Sequence, residues 1–293
     1  MKTLALQGGG TRGKWQAVAL QALEARAGEP LARAFELIGG TSVGAINGGL
    51  IAAGLPASKV NDFFDQYAPA IFTTHWYQLA ISRVFNSAKY NPAALESALH
   101  DLLGDRTLAD CETPFIATAV DMATGKNVYF QSFGLTSEDE SEIIIGPDSG
   151  IPLWKVLRAS SAAQSYFPAC TWMDRVFWDG GSTGCNAPDM LVLTEARALA
   201  SLPEITMLSL GAGKTPWKFA GQDMRDPGIT TVLQATLEIA YACGETNEVW
   251  QAKSFLGNNH TRWNPSLPKS FAIDDASQET LQALGLAAQQ VLK

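Results

Sequence analysis

The sequence is poor in the residues that build metal centres and disulfide frameworks. It has three histidines and four cysteines in 293 residues. Cys111, Cys170, Cys185 and Cys243 form no C-x-x-C pair, which excludes a zinc ribbon and a thioredoxin-type site. No metal or cofactor is implied. Scattered thiols in a chain this long fit a reducing cytoplasm better than a disulfide scaffold. Positive charge is also in deficit, with 21 Lys plus Arg against 29 Asp plus Glu and a net charge of −8. Nucleic acid polymers are held by clustered cations, so this balance argues against them and against purely electrostatic adhesion to anionic membranes. Any lipid contact then has to be apolar or local. The longest weakly polar stretch, residues 43–55, contains Asn47 and is too short to span a bilayer. The first apolar run, residues 4–6, stops at Gln7 and three glycines, which is no signal peptide.

Hydrophobic residues make up 46% of the chain and charged residues 17%, which excludes disorder and predicts a large core. A chain of this length buries about 75% of its unfolded surface. No repeat or linker divides it, so one domain over residues 1–293 is expected. Short β-like runs alternate with helical patterns, the signature of an α/β layer architecture. Strands are expected at 2–7, 35–38, 115–121, 127–133, 176–178 and 205–210. Helices are expected at 14–26, 43–53, 58–67, 153–162, 190–199 and 230–255, with one more at the C-terminus. Another opens with Asn91 as cap and Pro92 at its first position, and ends at Gly104. Two segments break the rhythm. The acidic cluster Glu138, Asp139, Glu140 and Glu142 reads as a solvated loop. Residues 70–90 carry Phe72, Trp76, Tyr77, Leu79, Ile81, Val84 and Phe85 without clean periodicity, and read as core packing or as an apolar flap over a lipid groove.

Three motifs carry chemistry. Gly8-Gly9-Gly10-Thr11-Arg12-Gly13, between the first strand and first helix, satisfies the dinucleotide pattern G-x-G-x-x-G. That reading wants an acid at the end of the second strand to hold a ribose, but Glu36 lies mid-strand. The glycines equally let backbone N–H groups approach an oxyanion. Gly40-Thr41-Ser42-Val43-Gly44 matches G-x-S-x-G between a strand and a helix, the context of a nucleophile elbow. The positive end of the following helix then points at Ser42. Val176-Phe177-Trp178-Asp179-Gly180-Gly181 places a carboxylate at the end of an apolar strand. A triad of Ser42, Asp179 and His260 follows the α/β-hydrolase order, but only two strands precede Ser42 and His260 sits in a polar stretch that reads as a solvated loop. Asp179 alone serves as base if the site is partly desolvated.

Together the three motifs resemble the patatin-like phospholipases, in the family's order. Supporting stretches are similar too: Ala159-Ser160-Ser161-Ala162-Ala163, Tyr166-Phe167-Pro168, Asn186 with Pro188, and Ser209-Leu210-Gly211. The resemblance covers about residues 3–213. Ala187 stands where a second asparagine is common and Gln164 where proline is frequent. The resemblance implies a three-layer α/β fold with a central mixed, mostly parallel sheet, the remaining helices of 214–293 packing on the same domain. It further implies a Ser42–Asp179 dyad that cleaves acyl esters of glycerophospholipids through an acyl-enzyme. Gly9 and Gly10, with Gly8 or Thr11, supply the oxyanion hole. Gly13, Gly40, Gly44, Gly180 and Gly181 support the turns, and Arg12 steadies the loop or meets the lipid phosphate. A cytoplasmic protein that touches membrane transiently is expected, gated by self-association or a small-molecule activator as in antiphage effectors. An oxidoreductase, a general esterase or thioesterase, and an inactive binding module are the competing readings.

Overall fold

Successive residues of the central strands enter two different cores, and this alternation builds the layers. In β1 (Lys2–Leu6), Leu4 and Leu6 join one apolar cluster while Ala5 joins the other. β2 (Leu37–Gly40) divides Ile38 from Leu37 in the same way, and β3 (Phe115–Asp121) divides Phe115 and Ala117 from Ile116. Strands covered on both faces read as continuous apolar runs, which is why they were legible in the sequence. The structure, a computed structural model, describes residues 1–73, 88–134, 142–217, 219, 221–222 and 224–292.

The larger core is covered by α1 (Gly13–Ala27), α3 (Val43–Ala52) and α4 (Ala57–Gln66), which supply Trp15, Leu50 and Phe64 among others. A short α2 (Leu31–Ala34) and α5 (Ala68–Ile71) flank them. α6 (Ala93–Leu103) and α7 (Leu153–Ser160) extend this layer. Asn91 caps α6 as expected, its Oδ1 accepting the Ala93 N–H at 2.9 Å. On the other face, α8 (Asp189–Leu199) and α9 (Ile229–Leu256) supply Val192, Leu193, Ala196, Ala252 and Leu256. α10 (Gln278–Ala287) returns to the first core through Leu281 and Leu284. The chain is therefore an α/β protein with a central mixed sheet between helices.

The sheet runs β5 (Ile143–Ile145), β4 (Asn127–Gln131), β3, β2, β1, β8 (Thr206–Leu210) and β9 (His260–Trp263). β2, β1, β8 and β9 run parallel to their neighbours in the block from β3 to β9. β4 (Asn127–Gln131) pairs antiparallel with β3. β7 (Arg175–Asp179) also pairs antiparallel with β3 and takes over where β2 stops. Gly40 of β2 faces Ala117 and Asp179 of β7 faces Ala119, while β4 occupies the opposite edge. This handover brings two distant motifs to one point of the sheet.

Three strands lie outside the sequence expectations: β5 (Ile143–Ile145), β6 (Cys170–Trp172) and β9 (His260–Trp263). The first two are three residues long, too short to show alternation. β9 corrects the reading of His260 as a solvated loop residue. It is buried, and its Nε2 lies 2.8 Å from Asp189 Oδ1. Most of the suggested flap, from Trp76 to Phe85, and Glu138, Asp139 and Glu140 lie outside the described residues. Of that stretch, Phe72 packs edge-on against Tyr90 with centroids 5.4 Å apart.

Candidate active site

Ser42 occupies a backbone conformation that side-chain-bearing residues rarely adopt, φ 57° and ψ −127°, between β2 and α3. Such strain persists only where the surroundings over-determine it. Here the Thr41 N–H donates to Leu6 O at 3.1 Å and the Gly44 N–H to Thr41 O at 2.8 Å. The Thr41 hydroxyl donates to Cys185 O at 2.6 Å, and the Ser42 N–H donates to Ser160 Oγ at 2.9 Å. The turn is so tight that a Cβ on Gly44 would lie 2.1 Å from Leu6 O, and one on Gly40 2.4 Å from Gly44 O. A side chain at Gly44 would displace β1, and one at Gly40 would displace the start of α3.

Asp179 is 3% exposed and ends β7. Its Oδ1 accepts the Gly181 N–H at 2.8 Å. Burial pushes its carboxyl up to about 6, opposed by hydrogen bonds from the Ser42 side chain and the Gly181 backbone. Ser42 and Asp179 line the same cavity, and the Ser42 side chain acts on the buried carboxyl. Gly180 packs against Thr118, whose hydroxyl is 2.8 Å from that of Thr41, so β3 ties the two turns together. His260 is bound to Asp189 and takes no part, which removes the triad reading.

The glycine loop faces Ser42, and a Cβ on Gly8 would lie 2.9 Å from Ser42 Cβ. Two of the four suggested oxyanion donors are already engaged. Gly8 N–H donates to Asn186 O at 3.0 Å and Thr11 N–H to Ile273 O at 2.7 Å. This corrects the inclusion of Gly8 and Thr11. The N–H groups of Gly9 and Gly10 have no partner among the described residues, and both line the cavity beside Ser42. Gly13 packs against Val43 and Phe64, locking α1 to α3. Arg12 Nε donates to Gly9 O at 3.3 Å, which supports its loop-steadying role. Burial pulls its guanidinium below the usual value, while Glu238 and Glu245 act the other way.

These groups open into a cavity of about 740 Å³. Its lining includes the apolar Ile46, Phe63, Phe64, Ile71, Phe72 and Phe167. The part of the chain without a motif adds Asn264 and residues 270–273, with Glu238, Tyr241, Ala242, Glu245 and Thr246 of α9. Their spacing (i, i+3, i+4, i+7, i+8) is one helical face, a signal present in the sequence but masked because it is polar. Arg262 and Gln7 anchor this wall. Gln7 Nε2 donates to Glu245 Oε2 at 2.7 Å, and Arg262 Nη2 donates to Glu245 Oε1 at 2.9 Å.

A mixed α/β sheet with a strained serine elbow, a glycine loop and a buried carboxylate at one crevice defines a class of ester hydrolases. The family model for patatin-like phospholipases matches residues 4–191, and the chain belongs to that family. It is 27% identical over 275 residues to a cGAMP-activated phospholipase of Pseudomonas aeruginosa, covering 93% of this chain and 77% of that protein. It is 25% identical over 306 residues to calcium-independent phospholipase A2-gamma of Rattus norvegicus, spanning 100% of this chain and 38% of that one. Among solved structures, VipD from Legionella pneumophila aligns with a TM-score of 0.46 at 12% identity, over 99% of this chain and 66% of that chain. Among the described residues, no helix is long and apolar enough to cross a membrane and no acidic, His or Cys cluster is arranged to hold a metal.

Proposed function

We propose that the protein is a serine acyl hydrolase that releases fatty acid from glycerophospholipids through Ser42 and Asp179. The observation that carries this reading is a strained elbow serine and a buried carboxylate lining one cavity, together with two unengaged N–H groups. Asp179 takes the proton of Ser42 as Oγ attacks the ester carbonyl, and the N–H groups of Gly9 and Gly10 receive the oxyanion. One such donor contributes about 3–4 kcal/mol to the barrier. The C–O bond to the alcohol breaks, the departing oxygen takes the proton from Asp179, and the acyl group stays on Ser42. Asp179 then deprotonates water, which attacks the acyl-enzyme, and the proton returns to Ser42 Oγ as the fatty acid leaves.

The mixed lining of the cavity favours an amphiphilic ester: six bulky apolar side chains suit an acyl chain, and charged groups such as Arg12 and Glu238 suit a polar head. With no excess of cations on the chain, lipid contact is transient and apolar. The cGAMP-activated relative suggests that this chain, too, is gated by a small molecule. The test is fatty-acid release from phospholipid vesicles, with and without cGAMP, by the wild type, Ser42→Ala and Asp179→Asn. Both variants are expected to be inactive, and full activity in either overturns the dyad. Equal or better turnover of short p-nitrophenyl esters, with none on vesicles, would keep the chemistry and replace the substrate.

A further inference from the structure

Residues 270–274 cross the outer side of the glycine loop, far from any motif. The Thr11 N–H donates to Ile273 O at 2.7 Å and the Thr11 hydroxyl to Ala272 O at 3.3 Å. Gly10 has φ +58°, and a Cβ there would lie 2.0 Å from Ile273 O. The loop conformation that leaves Gly9 and Gly10 N–H unengaged is therefore moulded on this strand of backbone. Residues 270–273 also line the cavity. What fixes them in turn is Asp274. Its carboxylate is 9% exposed, pairs with Lys89 Nζ and accepts the Tyr90 hydroxyl at 2.7 Å.

The anchor continues around the site. Lys89 N–H donates to Ser165 O at 2.9 Å and Tyr90 N–H to Tyr166 O at 2.8 Å. One residue before Ser165, Gln164 Nε2 donates to Ser182 Oγ at 2.7 Å, and Ser182 Oγ donates to Asp179 O at 2.7 Å. A continuous belt thus runs from Thr11 through Ile273, Asp274, Tyr90, Tyr166 and Ser182 to Asp179. It joins the side of the site that receives the oxyanion to the side that holds the base. Asp275 secures the far end, its Oδ2 accepting the Thr280 hydroxyl at 2.6 Å at the start of α10.

We infer that Asp274 is a positioning residue, which holds the glycine loop in register with Asp179 through this belt and touches no substrate. The inference rests on the Ser42 and Gly9–Gly10 reading given above. A shift of 1 Å at a site can lower turnover about 10²-fold, so a single anchor of this kind has a measurable effect. The effect belongs to the transition state, where the oxyanion forms, and not to ground-state binding.

The test uses the full chain with p-nitrophenyl butyrate, which avoids the membrane surface, and the rate of Ser42 labelling by a fluorophosphonate. Asp274→Ala is expected to lower kcat and the labelling rate about tenfold or more, with KM changed less than about twofold. Asp274→Asn keeps an acceptor for Tyr90 and is expected to recover most of both rates. Tyr90→Phe removes one hydroxyl from the belt and provides a mild variant if Asp274→Ala fails to fold. Unchanged kcat and labelling in folded Asp274→Ala, or in Tyr90→Phe where only that variant folds, overturns the inference. An effect confined to KM or to melting temperature does so as well. Wild-type activity in Ser42→Ala would instead overturn the proposed reaction, so the two failures are distinguishable.

Discussion

The first 213 residues and the remainder line one cavity by different means. In the first part the backbone itself approaches too closely for a side chain, as where Gly44 meets Leu6 O. In the second, polar side chains reach across gaps, as Glu245 does to Arg262 and to Gln7 of the first part, and as Asp274 does to Lys89 and Tyr90. Close backbone approach dictates the residue type at a fixed spacing and so leaves a motif. A side-chain bridge tolerates several residue types at either end and leaves none. Both parts shape the site, but they differ in legibility.

The largest expected effect lies in the first part. Ser42→Ala removes the nucleophile and should lower kcat for any ester by at least about 10³-fold. Because Ser42 is strained and half-buried, alanine at the same place should leave the melting temperature within a few degrees of wild type. Residual activity near the wild-type level, measured by fatty-acid titration, would transfer the chemistry away from the motif-bearing part.

Asp179 sharpens the comparison because activity and stability pull apart there. Its folded carboxyl is raised from 3.8 to about 6, chiefly by burial. A raised carboxyl contributes stability that is fully present below about pH 4 and is lost as pH rises through about 6. Above that range the ionised group costs about 3 kcal/mol. Asp179→Asn should therefore raise the melting temperature by about 5 °C at pH 7.5, with the gain shrinking to nothing near pH 4. In the wild type the base must be ionised, so kcat/KM should climb with pH between about 5 and 7. Differential scanning at the two pH values and a pH–rate profile check both halves. A melting temperature that falls at pH 7.5 would show that the Ser42 and Gly181 hydrogen bonds outweigh burial.

What the sequence disclosed follows the same division. The boundaries of β3 were readable to the residue, since Phe115–Asp121 is buried throughout and flanked by Pro114 and the 123–125 turn. The elbow and the Asp179 strand were readable from glycines at close approaches. β6 and β9 were not, for they are short and their side chains alternate weakly. His260 looked solvated because Gly257, Asn258 and Asn259 precede it. Its partner Asp189 is 71 positions away, and nothing local announces a buried hydrogen-bonded pair. The engagement of Gly8 and Thr11 N–H by Asn186 and Ile273 was equally invisible, since backbone partners leave no residue signature. Nor could a polar face of α9 be told from a solvated one without knowing that a cavity lies against it.

A smaller effect is expected where the two parts touch. Gly244 of α9 sits on the turn after Asp179, and a Cβ there would lie 2.7 Å from Gly184 O. Gly244→Ala should push the helix outward, costing about 1–3 kcal/mol by overpacking. The displacement should reach Asp179 through Gly180–Thr183 and lower kcat about tenfold. Denaturant melts and turnover of a soluble ester test the two separately. Full activity alongside lost stability would mean that the second part merely covers the site.

The smallest effect is expected on the far side of the same helix. Val232, Ile239 and Trp250 are 38%, 47% and 65% exposed, while Glu238, Tyr241 and Glu245 face the cavity. Over its middle turns the helix thus presents polar side chains to the cavity, while these three apolar side chains stand outside and Ala252 and Leu256 pack in the core. If the inward face alone serves the reaction, Trp250→Gln should change stability by no more than about 0.5 kcal/mol. Turnover of a soluble ester should stay at the wild-type level. A loss of turnover there would show that the outer stripe holds the position of the wall, and that the second part depends on surfaces as well as on bridges.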